Sequence, residues 1–255
     1  MVLILAALAA AGASLLTFYS GFGLVTLLTP VFLLFFPAPT AVAAVALVHF
    51  VNNGVKAGLV GRHAHWDVVL RFGIPAMIAA AAGAALLGVL AFDETGFHWS
   101  IAGLQGTVRP VQALLGGMMI AFAFLELRPP RGLSGAGLVF GGLLSGFFGG
   151  LTGHQGALRS AFLVRAGLDP RAFVGTGVAI ALGVDLVRIF IYGTAFDLAT
   201  IGQEWPLLLS TTLGAIAGSV LGARGLQKVT VARVQQVVAL MLLVTGLVVG
   251  LGLGE

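Results

Sequence analysis

Apolar residues fall in eight long runs, at 2–36, 38–60, 67–92, 109–125, 135–164, 171–193, 204–223 and 231–252, divided by short polar turns. A helix rises 1.5 Å per residue, so roughly 20 apolar residues cross the hydrocarbon of a bilayer. The first and fifth runs are too long for one crossing. Both are interrupted by glycine-rich pieces, Ser20-Gly21-Phe22-Gly23 and the stretch from Ser145 to Gly153. Each is expected to fold as two shorter segments, which makes ten membrane segments in all.

The order of these features repeats. In each half a Ser-Gly-Phe break is followed by a short apolar piece and a proline turn, Pro37-Ala38-Pro39 or Asp169-Pro170. A helix carrying polar residues comes next, then a helix rich in small residues, with Gly83 and Gly88 in one half and Gly214, Gly218 and Gly222 in the other. The repeats are expected at 1–131 and 132–255. Charge supports ten segments over eight. Ten segments put Arg62, Arg128, Arg131, Arg165, Arg171, Arg224, Lys228 and Arg233 on one side, with Asp93, Glu94, Asp197, Glu204 and Arg109 on the other. Eight crossings would split the basic residues, against the bias of basic loops toward the cytoplasm. Five segments per half is an odd number, so the halves enter the membrane in opposite senses. The expected fold is all-α: a polytopic membrane protein of two inverted repeats with broken or re-entrant helices, both termini outside the cytoplasm, in the cell membrane.

Composition agrees. Of 255 residues, 59% are hydrophobic and 9% charged, against about a quarter charged in soluble domains. The first residues, MVLILAALAAAGAS, lack the basic start of a secretory signal and read as a retained membrane segment. The net charge of +4 comes from scattered basic residues at turns, which mark topology, so nucleic acid is not an expected partner. With no cysteine there is no thiolate chemistry and no Cys-ligated cluster. No phosphate-cradling G-x-x-x-x-G-K-[ST] loop occurs, so ATP-driven pumping by this chain alone is not expected. No cofactor and no metal are expected. The His63-x-His65 pair reads as a solvated loop.

Ionisable groups at bilayer depth are costly and mark paths, sites or structural pairs. His49, Asn52, Asn53 and Lys56 share one helical face at i, i+3, i+4 and i+7. Asp185 and Arg188 are i, i+3, with Tyr192 one turn on, and His154, Gln155, Arg159 and Ser160 follow the second glycine break. Aligning Pro39 with Pro170 puts Asn53-Gly54 opposite Val184-Asp185, so inversion brings the polar faces together. Lys56, Arg159 and Arg188 then outnumber Asp185. Helix N-termini after the breaks add unpaired N–H groups and positive dipole ends, which favours a small oxyanion. Structural alternatives stay open: Asp185–Arg188 as a bridge, Lys56 snorkelling to the interface, Asn52 and Asn53 as hydrogen-bond glue between helices. Gly214-x-x-x-Gly218-x-x-x-Gly222 reads as a close-packing seam. An intramembrane enzyme is disfavoured, because His154 and Ser160, at i, i+6, point apart. A permease for another small solute, or a non-transporting membrane partner, stays as an alternative.

The run from Gly149 to Gly177, Gly-Gly-Leu-Thr-Gly-His-Gln-Gly-Ala-Leu-Arg-Ser-Ala-Phe-Leu-Val-Arg-Ala-Gly-Leu-Asp-Pro-Arg-Ala-Phe-Val-Gly-Thr-Gly, continuing to Asp185-x-x-Arg188, resembles the second glycine-rich motif and polar helix of the sulfite exporter TauE/SafE family of bacterial membrane permeases. Ser20 to His65 matches more loosely, with Gly21-Phe-Gly23 in place of three glycines. Gly156-Ala-Leu158 stands where many members carry Gly-Pro-Pro. The resemblance implies a transporter, not an enzyme, that moves sulfite or organosulfonates out of the cytoplasm, with that anion and the lipid bilayer as partners; a homodimer is compatible with it. Arg159, Lys56 and Arg188 are expected to set anion preference. His154, Gln155, Asn52 and Asn53 are expected to supply directional hydrogen bonds, and His49 or His154 to exchange protons. Ser160, Asp185, Gly21, Gly23 and Gly153 complete the expected set.

Overall fold

The computed structural model describes residues 1–18, 23–101, 103–127, 137–196, 198–224 and 231–253. Gly21, the turn from Arg128 to Arg131, Asp197 and Lys228 lie outside them, as does the expected boundary between 131 and 132. Among the described residues the helices are α1 (Val2–Thr17), α2 (Leu24–Phe32), α3 (Ala38–Val60), α4 (Trp66–Ala91), α5 (Pro110–Leu127), α6 (Leu138–Thr152), α7 (Gly156–Leu163), α8 (Pro170–Ala195), α9 (Leu198–Gln203), α10 (Trp205–Ala223) and α11 (Val231–Gly250). Of these, α3, α4, α5, α8 and α10 are long and apolar enough to cross a membrane. The protein is a multi-pass, predominantly helical membrane protein.

Both long apolar runs are broken where the glycines predict. The first divides into α1 and α2, the fifth into α6 and α7. Gly153 ends α6 at φ +82°, and Gly23 starts α2 at φ +107°. Side chains rarely adopt this left-handed conformation, so glycine makes both breaks inexpensive. The proline turns start helices. Asp169 caps α8 by accepting from the Arg171 and Ala172 N–H groups, with Pro170 at the first helical position.

Close contacts fix how the helices run. α4 and α6 are parallel: Gly142 lies on Phe72, Gly146 on Ala76 and Gly150 on Ala80. α1 and α10 are parallel in the same way, with Gly214 on Ala7 and Gly218 on Ala11. A Cβ at any of these glycines would run into a carbonyl oxygen of the facing helix, so the missing side chain sets the separation. The Gly214/Gly218/Gly222 seam thus packs as its spacing predicts. α3 and α8 are antiparallel, with Asn53 against Asp185 and Gly175 against the Val60 carbonyl. Gly116 packs against Gly246 and Gly250 to join α5 to α11. At the break, Gly150 stands level with Ala80, midway along α4, whereas Phe162 near the end of α7 is back beside Phe72, Phe140 and Gly141.

Among the described residues the chain departs from an all-α fold at one place. Between α4 and α5, β1 (Phe97–Ile101) pairs antiparallel with β2 (Leu104–Val108), and Trp99 Nε1 donates to the Leu251 carbonyl at 2.9 Å, tying the hairpin to the end of α11. Two five-residue runs around Ala102-Gly103 carry a hairpin signal, but at 93–108 it is easily read as a polar loop.

Candidate functional site

Three segments converge in the middle of the molecule: the α6–α7 break, the start of α2, and the polar stretch of α3. They enclose two small cavities that share His49 and Arg159 on their walls. The first is also lined by Gly23 and Thr26 of α2, by Gly153 to Ala157 at the second break, and by Phe122 and Glu126 of α5. The second adds Asn53, Lys56, Ser160 and Gly177. Each measures about 20 Å³, room for one water molecule.

The groups on the first cavity are buried and under-used. His154 donates to or accepts from Thr152 Oγ1 through Nδ1 (3.2 Å) and lies against the Phe122 ring, centroids 5.6 Å apart, while its Nε2 has no hydrogen-bond partner. Neither Gln155 Nε2 nor Oε1 has one, although the residue is 1% exposed and its backbone carbonyl accepts from Ser145 Oγ. Glu126 Oε2 is likewise unpartnered. Most buried polar atoms in folded proteins are satisfied, and three such side chains line this one cavity. Neither α2 nor α7 starts with a side-chain cap, and residues from the first turns of both line the same cavity.

A charged network holds the site from behind. Asp185 is fully buried between α3 and α8. Arg188 Nε donates to its Oδ1 at 3.0 Å, while Asn53 Nδ2 donates to Oδ2 at 3.2 Å and His49 Nδ1 lies 2.7 Å from that oxygen. Asn53 and Asp185 therefore meet as the alignment of the proline turns predicts. The Arg188 guanidinium lies over the second break, its Nη1 2.8 Å from the position a Gly153 Cβ would take. Tyr192 donates to the Gly150 carbonyl. Asp185 and Arg188 line neither cavity; they position His49 and Asn53, which do.

Of the other expected residues, Arg159 and Ser160 are buried on the cavity walls. Lys56 is buried too, its Nζ 5.5 Å from the Phe18 ring centroid. Asn52 is not part of this assembly: its Oδ1 accepts from Ser219 Oγ at 2.7 Å and from Ser14 Oγ at 3.4 Å, bonding α3 to α10 and α1. Glu126, Phe122 and Thr26 belong to the cavity, and the sequence reading did not include them. Ending the fourth apolar run at 125 placed Glu126 in the turn before Arg128, whereas α5 continues through Leu127. A lone carboxylate beside a run that can be one turn longer is the signal that could have found it. Glu126 also reduces the expected charge surplus to three cations against two carboxylates. Among the described residues no group of three or more His, Asp or Glu is placed to hold a metal ion.

No curated protein and no solved structure matches the chain. The family model described as sulfite exporter TauE/SafE matches residues 5–249. Nearly its whole length, both breaks and every residue around the two cavities included, falls within that match, and the chain belongs to the sulfite exporter TauE/SafE family.

Proposed function

We propose that this protein exports a small sulfur oxyanion, sulfite or an organosulfonate, from the cytoplasm by alternating access around the paired cavities. The observation that carries the reading is the convergence of two uncapped helix N-termini, Arg159 and the unpartnered polar atoms of His154 and Gln155 on one buried cavity. Helix N-termini and guanidinium groups both favour a bound oxyanion. A cavity of about 20 Å³ is too small for such a guest, so this conformation is closed and binding requires it to open.

The architecture proposed for it is a pair of inverted repeats. Their partner helices pair reciprocally: α1 with α10 and α4 with α6, α3 with α8, α5 with α11. The return of Phe162 to the level of Phe72, after α6 has run in to the level of Ala80, supports a re-entrant second break. Sites at the centre of such repeats, formed by interrupted helices, are a transporter arrangement. Arg62, Arg165 and Arg171 lie at the end where α3 stops and α4 and α8 start, and the bias of basic loops makes that end cytoplasmic. Both termini are then external. Outward movement of one negative charge is favoured by about 2.3 kcal/mol per 100 mV of inside-negative potential.

Reconstitution tests the reading. Vesicles containing the purified protein should pass sulfite saturably, faster when the potential favours anion exit. Sulfate, thiosulfate and small sulfonates in the same assay rank the substrate, and preference for a different small anion would correct that part. No anion flux from a folded, correctly inserted protein contradicts the proposal.

A further inference from the structure

Glu126 is 4% exposed, its Oε2 has no hydrogen-bond partner, and it lines the cavity that holds Arg159, His154 and Gln155. No ion pair involving it is formed among the described residues. Glu126 shares this lining with Arg159, His154 and Gln155, so an oxyanion held by those groups once the cavity opens sits within a few ångströms of the carboxyl group. Two negative charges at that distance, under the screening typical of protein interiors, weaken binding on the order of a hundredfold to a thousandfold. A protonated carboxyl group instead offers the anion an O–H donor. Resting on the anion-permease reading above, we infer that Glu126 carries a proton with the anion: it takes the proton when the anion enters and releases it when the anion leaves, so that the two cross together.

The step balances simply. The proton comes from water on the side where the anion enters, an O–H bond forms on the Glu126 carboxylate, and it breaks to water on the far side after the anion departs. With the sulfite dianion the proton cancels one of two negative charges, so one net negative charge still crosses and the membrane potential still favours its exit. Among the described residues the ionisable groups that share the cavity lining with Glu126 are His49 of α3, His154 at the break and Arg159 of α7. Glu126 is the sole ionisable residue in α5, α2 carries none, and α11 carries none from Gln236 to Gly250.

The test compares sulfite affinity of the wild type and Glu126→Gln, purified in the same detergent, across about pH 5.5 to 9. Glutamine imitates the protonated acid and cannot titrate. The ratio of the two dissociation constants cancels the titration of free sulfite, which is the same in both measurements. The wild type should match Glu126→Gln at the acid end and bind sulfite at least about tenfold more weakly at the alkaline end, since linkage lets each pH unit above the titration change affinity by up to tenfold. A ratio independent of pH, with both proteins binding sulfite, overturns the proton coupling and leaves the anion site standing. If the wild type binds no sulfite at any pH, the anion site itself is wrong and this inference goes with it. Should Glu126→Gln not fold, the infrared carbonyl band of a protonated carboxyl group decides on the wild type alone: a gain on adding sulfite supports the coupling, and an unchanged band overturns it.

Discussion

Replacing Asp185 by asparagine keeps the shape of the side chain and removes the charge that Arg188, His49 and Asn53 converge on. Both members of the Asp185–Arg188 pair are fully buried. The variant thus leaves a guanidinium in the interior without its counter-charge. Removing one partner of such a pair costs about 3–5 kcal/mol. For a chain of this size each kcal/mol moves the melting temperature by about 2–4 °C, so Asp185→Asn should melt about 6–20 °C below the wild type. Removing both charges costs less than removing one, because no ion is left stranded. The double variant Asp185→Asn/Arg188→Met should therefore melt well above Asp185→Asn. Thermal unfolding in detergent, followed by intrinsic fluorescence from Trp66, Trp99 and Trp205, reads all four corners of the cycle. If the double variant melts at or below Asp185→Asn, the pair is not what stabilises the α3–α8 contact.

The glycine seams give a second stability test. Gly146→Ala drives a Cβ into the Ala76 carbonyl and forces α4 and α6 apart, at about 1–3 kcal/mol. Gly117→Ala, at a helical position with open space around it, should be neutral or gain up to about 1 kcal/mol; equal melting temperatures for the two would count against close packing as the reason for the seam. Outside the membrane, the backbone N–H groups of Ala172 and Arg171 hold the Asp169 carboxyl below its ordinary value of 3.8. A group whose folded-state value is depressed stabilises above its unfolded value and loses that contribution as pH falls through the folded one. The melting difference between wild type and Asp169→Ala should be present at neutral pH and shrink in acid below pH 3.8; a difference that does not change with pH refutes the cap. Because the chain has no cysteine, single cysteines report topology directly. Thr95→Cys should react with an impermeant maleimide on intact cells and His63→Cys only after permeabilisation; the reverse pattern inverts the proposed orientation.

Hydropathy alone located the apolar segments, because the bilayer demands length and apolarity from each crossing helix. It also found both breaks, since Gly23 and Gly153 adopt backbone conformations that few other residues tolerate. The pairing of the polar faces followed from the matched proline turns. The fate of Asn52 was less legible. It lies about 100° around the helix from Asn53, enough to turn it to Ser14 and Ser219 rather than Asp185, and spacing along one helix does not say which neighbour covers which edge. Glu126 was lost for a similar reason: where a helix ends decides whether its last carboxylate is a turn residue or a buried one. The hairpin of β1 and β2 was not legible because its signal is short and local, two five-residue strands with no long apolar run to mark them.

The most direct measurement is radiolabelled sulfite flux through reconstituted wild type and Arg159→Ala, with a melting curve on each to establish folding. Arg159 lines both cavities, and losing a charged group from a buried binding interaction costs about 1.5–3 kcal/mol or more. The account predicts at least about tenfold slower flux at subsaturating sulfite from a folded Arg159→Ala protein. Wild-type flux from that folded variant would contradict it.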